Sequence, residues 1–108
     1  MNDLQTHVNE IAQRLSNPNQ LEAWAEEYDQ DDYSVMDYLE GVLDIEYIVG
    51  SDGNYRGARL LVAFGGPTIW INTRTNTVEG GWWQDSARAH FDDEIGLDET
   101  LQELFNCK

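Results

Sequence analysis

The chain has 108 residues, a formal net charge of −15 and a hydrophobic content of 41% that includes four Trp, five Tyr and three Phe. A chain of this length is expected to form a single domain, residues 1–108, with enough apolar side chains for one core. The charge repels nucleic acid and anionic membranes and attracts basic proteins, which argues against direct binding to DNA, RNA or a membrane surface.

The cysteine content and the N-terminal residues bear on location. Cys107 is the only cysteine, so the chain cannot form an internal disulfide, which fits a reducing cytoplasm. The first residues, MNDLQTHVNEI, lack the basic and apolar segments of a secretion signal. No apolar run approaches the ~18–20 residues of a membrane span. We therefore expect a cytoplasmic protein.

The first part of the chain has the apolar spacing of helices. Residues 3–15 are predicted to form an amphipathic helix because their apolar side chains share one face. These side chains are Leu4, Val8, Ile11 and Leu15. Pro18 favours the start of a second helix that continues to about residue 28. Ser34 is a candidate cap for a third helix that continues past Gly41 to Leu43.

After Leu43 the apolar period changes from helical to two, which is typical of strands. Four strands are predicted, over residues 45–49, 55–64, 68–73 and 77–83, and Asp52-Gly53 between the first two favours a tight hairpin turn. The second is expected to place its alternate residues on one face: Ala58, Leu60, Val62 and Phe64. Residues 87–91 fit either a short fifth strand or a helical turn, and a last helix is expected from about Leu97. This order predicts an α+β domain: N-terminal helices, a four- or five-stranded antiparallel meander and a C-terminal helix, with the helices packed on one sheet face.

A dense run of negative charge occupies residues 22–52, which contain eleven carboxylates and no Lys or Arg. Aromatic and aliphatic residues are threaded through the run, whereas disordered acidic tails lack them. Residues 1–55 carry thirteen acidic residues and one Arg, against eight acidic and five basic residues in 56–108. The asymmetry predicts one electronegative face on a folded surface.

Mimicry of a nucleic-acid backbone is the functional hypothesis for this face, and a solvated surface that only maintains solubility is the alternative. Carboxylates three or four positions apart on a helix lie roughly 5–6 Å from each other, which is close to the phosphate spacing along one DNA strand. A basic groove built for DNA would bind such a row. The candidate partner-binding residues are Glu22, Glu26, Glu27, Asp29, Asp31, Asp32, Asp37 and Glu40.

A calcium loop is the competing hypothesis for part of this stretch. Counted from Asp29, Glu40 falls at position 12 of an EF-hand-like register. However, Tyr33 stands where a ligand is needed and Ser34 stands where the loop needs glycine. We therefore predict no metal site and no cofactor.

Catalytic motifs are not found in the sequence, which lacks GxSxG, a P-loop and HExxH. His90 lies close to Asp92, Asp93 and Glu94 and is a candidate base or metal ligand, with an ordinary strand-end histidine as the simpler interpretation. We predict no catalytic residues.

The Gly80-Gly81-Trp82-Trp83 run is the other unusual feature. Adjacent residues of a strand point to opposite faces, so one of the two tryptophans is expected outside the core. With Trp70 they form a candidate aromatic interface, since exposed aromatic patches often mark binding surfaces. Packing within the domain is the alternative.

The run GGPTIWINTRTNTVEGGWW, with its acidic helical flanks, resembles small orphan proteins carried by bacteriophages and plasmids. The wider resemblance is to anti-CRISPR and antirestriction inhibitors, many of which are small, acidic and mimic DNA. It implies a non-enzymatic inhibitor, acting in the bacterial host cytoplasm, that blocks the nucleic-acid groove of a basic protein such as a CRISPR–Cas effector or another defence nuclease. One alternative is an immunity protein or antitoxin that neutralises a basic toxin nuclease. Another is a small enzyme or ligand-binding domain that uses His90 and the sheet aromatics.

Overall fold

A computed structural model gives the fold and describes residues 3–17, 19, 23 and 35–107. The helices with described bounds are α1 (Asp3–Ser16), α2 (Val35–Glu40) and α3 (Leu97–Asn106). The strands are β1 (Asp44–Val49), β2 (Tyr55–Ala63), β3 (Thr68–Asn72), β4 (Thr77–Trp82) and β5 (Asp85–His90). The predicted α+β class is confirmed, and residues 87–90 belong to a strand. Apart from residues 19 and 23, the helix predicted from Pro18 to about residue 28 lies outside the described residues.

The five strands form one antiparallel meander in the order β1-β2-β3-β4-β5. Each strand pairs with its neighbours in the chain, so the turns set the register. The predicted Asp52–Gly53 turn joins β1 to β2, with Gly53 at φ 83° and the Gly50 N–H donating to the Asn54 carbonyl over 2.9 Å. A left-handed φ of this kind suits glycine.

One face of the sheet carries the core. α1 packs on β4 and β5, and α3 packs on β2. The fully buried side chains include residues of both helices and of the sheet: Leu4, Val8, Leu15, Leu60, Ile71, Val78, Phe91, Leu97 and Leu101. Gly80 of β4 permits the close approach of α1, since a Cβ there would lie 2.8 Å from Leu4 Cδ1 and 2.9 Å from Val8 Cγ2.

The start of α3 is held by one carboxylate. Asp93 Oδ1 accepts a hydrogen bond from the Leu97 N–H over 2.8 Å, and Asp93 Oδ2 accepts one from the Asp98 N–H over 2.9 Å. These N–H groups have no partner within the helix, and a carboxylate also suits the positive end of the helix dipole. Asp93 is therefore a structural residue that caps α3.

Tyr55 links β2 to α3. Its hydroxyl donates to Asp98 Oδ1 over 2.7 Å, and its ring centroid lies 5.7 Å from that of Phe105 and 6.4 Å from that of Tyr47. Burial raises the pKa of the Tyr55 phenol well above its usual range, and the hydrogen bond to Asp98 raises it further. The neutral phenol is thus the form that the fold stabilises.

We expect the free energy of unfolding to fall less steeply with pH in Tyr55→Phe than in the wild type, above pH ~10, where an unperturbed tyrosine ionises. The pKa of Tyr55 is raised in the folded state, so its contribution to the free energy of unfolding is complete below that pH. The contribution is lost as the pH rises, because Tyr55 ionises in the unfolded chain before it ionises in the folded protein. Urea denaturation at a series of alkaline pH values measures the effect. Parallel curves for the two proteins would contradict this account.

The sequence predictions for the end of the third helix and for the position of Phe64 were wrong. The third helix was expected to continue through Gly41 to Leu43, but α2 ends at Glu40. The Leu43 N–H instead donates to the Leu61 carbonyl over 2.8 Å, which attaches the chain to the sheet. Phe64 was expected on the same face as the core residues of β2, but the register with β3 shifts between Leu61 and Ala63. A bulge of this kind breaks the alternation of faces, and Phe64 is 74% exposed beyond the strand.

Candidate protein-binding surface

The predicted acidic face falls mostly on residues that the structure does not describe. Outside the described residues are Glu22, Glu26, Glu27, Asp29, Asp31 and Asp32. Asp37 has a described helical backbone in α2 but no described side chain, and Glu40 is exposed at the end of that helix. The row that these residues were predicted to form therefore stays a prediction.

The described residues also carry an excess of negative charge. Three surface ion pairs join Arg56 to Asp52 (3.2 Å), Arg59 to Glu46 (3.2 Å) and Arg88 to Glu79 (3.0 Å). Exposed pairs of this kind add little stability. The exposed carboxylates outside these three ion pairs are Glu10, Glu40, Asp44, Asp85, Asp92, Glu94, Glu99 and Glu103. The negative field is thus available to a partner over much of the described surface.

Trp70 lies on the sheet face opposite α1 and α3. It pairs with Leu61 of β2 and Glu79 of β4, and the Arg59 guanidinium carbon lies 4.2 Å from its ring centroid. A cation in this position is attracted by the ring and covers part of it. Trp82 shares the face of Gly80, so the pleat places Trp70 and Trp82 on opposite faces. The three predicted tryptophans therefore do not form one patch.

Most of the exposed apolar side chains in the described part lie at one end of the sheet. The β2–β3 turn, the β4–β5 turn and the start of β1 share this end. The strand pairs that show this are Asp44 with Leu61, Thr68 with Gly81 and Trp82 with Asp85. This end carries four large exposed residues, which we call the tryptophan end: Leu43 (60% exposed), Phe64 (74%), Trp82 (43%) and Trp83 (93%). At the other end of the sheet, Val49 is 45% exposed.

Trp83 has an unusual backbone conformation. Because Trp82 pairs with Asp85, Trp83 and Gln84 form a two-residue hairpin turn, and Trp83 has φ 59°. Gly, Asn or Asp usually occupies such a position, and a bulky residue with positive φ is an outlier. The sequence prediction of a strand through residue 83 was wrong, since β4 ends at Trp82. Trp-Gln has no turn signature, so only the shortness of the gap before residues 87–91 indicated a turn here.

The charge around the tryptophan end is negative. Asp44 follows Leu43, Asp85 pairs with Trp82, and both carboxylates are exposed. Among the described arginines, Arg56 and Arg74 lie at the other end of the sheet, at the start of β2 and in the β3–β4 turn. Arg59 and Arg88 lie within β2 and β5, and each forms its ion pair with a carboxylate of a neighbouring strand. The described residues thus give this end an apolar centre with acidic neighbours.

His90 lies at the opposite end of the sheet from Trp83, one of the aromatic residues that were considered as its partners. It ends β5 and pairs with Thr77, at the end of the sheet remote from Trp83. The shallow depression beside it is lined by α1 residues such as Asn9 and Gln13, and Trp70 is not among the lining residues. Asp93 is engaged with the backbone of α3. Within residues 3–17, 19, 23 and 35–107, no three His, Cys, Asp or Glu side chains are grouped to hold a metal ion.

None of the described helices is long and apolar enough to cross a membrane. Comparisons with protein-family models, curated proteins and solved structures found no match to the chain.

Proposed function

We propose that this protein is a non-enzymatic inhibitor that binds a basic, nucleic-acid-binding protein in the bacterial cytoplasm and keeps nucleic acid out of its groove. A CRISPR–Cas effector or another defence nuclease is the kind of target that fits. The observation that carries the proposal is the net charge of −15, concentrated in residues 22–52, which contain eleven carboxylates and no Lys or Arg.

The physical basis is the same as for DNA binding. A groove rich in Lys and Arg gains much of its affinity for DNA from interactions with phosphates and the release of counterions. Closely spaced carboxylates offer the same cations an alternative anionic ligand, and the field of the whole protein speeds the encounter. An immunity protein directed at a basic toxin nuclease would use this physics too, and the identity of the captured target separates the two functions.

The test is displacement of nucleic acid from the target. The target would be captured from a bacterial lysate on the immobilised wild-type protein, identified by mass spectrometry, purified and loaded with a fluorescent nucleic acid that it binds. We expect the wild-type protein to displace this probe. The triple variant Asp29→Asn, Asp31→Asn, Asp32→Asn should displace it less well, because it lacks three phosphate-like charges.

A matched control removes the same charge elsewhere. Asp92→Asn, Glu94→Gln, Glu99→Gln leaves the Asp93 cap of α3 intact and alters exposed side chains only. It should displace the probe nearly as well as the wild type. Equal losses in both triples would show that only bulk charge matters. A target that binds the protein and the probe together would contradict the proposal.

A further inference from the structure

We propose that the tryptophan end, defined above by Leu43, Phe64, Trp82 and Trp83, is the anchor by which this chain docks its partner. Trp83 would enter an apolar pocket of a basic protein, and Lys or Arg residues around that pocket would face Asp44 and Asp85. The partner class rests on the proposed function, whereas the choice of surface rests on the geometry of the sheet end.

Exposure of large apolar side chains is the first observation. Trp83 is 93% exposed and Phe64 is 74% exposed, at turns that the meander brings to the same end. Neighbouring strands lie about 4.8 Å apart, so β1 and β4 are separated by roughly 15 Å, and one partner surface can cover all four residues. Contiguous apolar patches with polar neighbours mark interaction sites.

The backbone of Trp83 is the second observation. A φ of 59° strains the backbone at a residue with a bulky side chain, and a side chain that is almost fully in solvent adds little stability to compensate. Glycine or asparagine would form the same turn with less strain. Strained positions persist at ligand clamps and binding sites, where the residue serves function. Tryptophan is also one of the residue types enriched at binding hot spots.

Charge decides between the possible occupants of this surface. A second copy would bring its own Asp44 and Asp85 against a chain of net charge −15, so like charges oppose self-association. Anionic membranes and nucleic acid are repelled in the same way. A basic protein is attracted both by the field and by the two exposed carboxylates, and it supplies the apolar pocket that the tryptophan needs.

The anchor and the acidic residues would have separable roles. Rim charges act mainly on the association rate and on salt dependence, while a buried aromatic anchor acts mainly on the dissociation rate. Truncation of Trp83 should therefore accelerate dissociation and leave the salt dependence unchanged. Loss of acidic residues should slow association and reduce the salt dependence, with little effect on the dissociation rate.

The experiment combines site-specific cross-linking with affinity. A photoreactive benzoylphenylalanine would be placed at position 83 and, as control, at position 49, which is exposed at the other end of the sheet. Each protein would be irradiated in a bacterial lysate, and the adduct identified by mass spectrometry. The partner would then be purified, and its affinity for the wild type, Trp83→Ala and Val49→Ala measured by biolayer interferometry.

The proposal predicts a cross-link from position 83 to a basic protein, a loss of affinity of about 30-fold or more in Trp83→Ala and a loss below about threefold in Val49→Ala. Cross-links from position 49 alone would overturn it. A cross-link to a second copy, or Trp83-dependent binding to phosphatidylcholine vesicles, would overturn it in favour of a dimer or a membrane. A basic partner that binds Trp83→Ala as tightly as the wild type would overturn the anchor and leave the proposed function standing. Failure of the wild-type protein to capture any basic protein would overturn both.

Discussion

Gly80→Ala should lower the free energy of unfolding by about 1–3 kcal/mol. The new methyl group would lie 2.8 Å from Leu4 Cδ1 and 2.9 Å from Val8 Cγ2, and both of these side chains are buried between α1 and the sheet. Because the interior is close-packed, relief of the clash must displace α1 or force its side chains from their preferred rotamers. Urea denaturation followed by far-ultraviolet circular dichroism measures the effect.

Gly81→Ala is the matched control for this change. It adds the same methyl group one residue along β4, where no atom lies within 4 Å of the new Cβ. Its stability should equal that of the wild type or exceed it by about 0.5–1 kcal/mol, since glycine weakens a strand interior. Equal destabilisation by both substitutions would show that α1 does not approach the sheet at Gly80.

Trp83→Gly should raise the free energy of unfolding by about 1–3 kcal/mol relative to Trp83→Ala. Both variants remove the same exposed ring, but only glycine adopts φ 59° without strain. The comparison therefore isolates the backbone cost from the loss of the side chain. Thermal and urea denaturation of the two variants give the difference, and two equally stable variants would show that Trp83 is not strained.

The stability of Trp83→Gly also bears on function. A substitution that stabilises the fold and weakens partner binding is expected where a residue is kept for binding at a cost to the fold. The two effects are measured separately, so a variant with higher stability and unchanged affinity would assign Trp83 no role in docking.

Local periodicity was sufficient to predict much of the fold. The apolar stripe of α1, the Asp52–Gly53 turn and the alternation in β3 each depend on residues close together in the chain, and the structure has all three. The end of α2 was missed because Leu43 is drawn into the sheet by a hydrogen bond to Leu61, which lies far along the chain. The exposure of Phe64 was missed because a bulge depends on the pairing of two strands.

The candidate surface was predicted only in part, for a similar reason. The sequence singled out Trp82 and Trp83 by composition, but it grouped them with Trp70, which the pleat places on the other face. The sequence did not place Phe64 and Leu43 beside these tryptophans, because their position at the same end of the sheet depends on the order of the strands. The acidic residues were identified from charge alone, and charge predicts the kind of partner better than the geometry of binding.

The salt dependence of partner affinity tests the central claim most directly. If carboxylates replace phosphates in a basic groove, the logarithm of the association constant should fall linearly with the logarithm of salt concentration, as it does for DNA. The slope should become shallower by about one for each phosphate-like carboxylate that Asp29→Asn, Asp31→Asn, Asp32→Asn removes from the interface, and it should stay close to the wild-type value in Asp92→Asn, Glu94→Gln, Glu99→Gln. An affinity that does not change between 50 and 200 mM salt, the range over which DNA-binding proteins lose much of theirs, would contradict nucleic-acid mimicry.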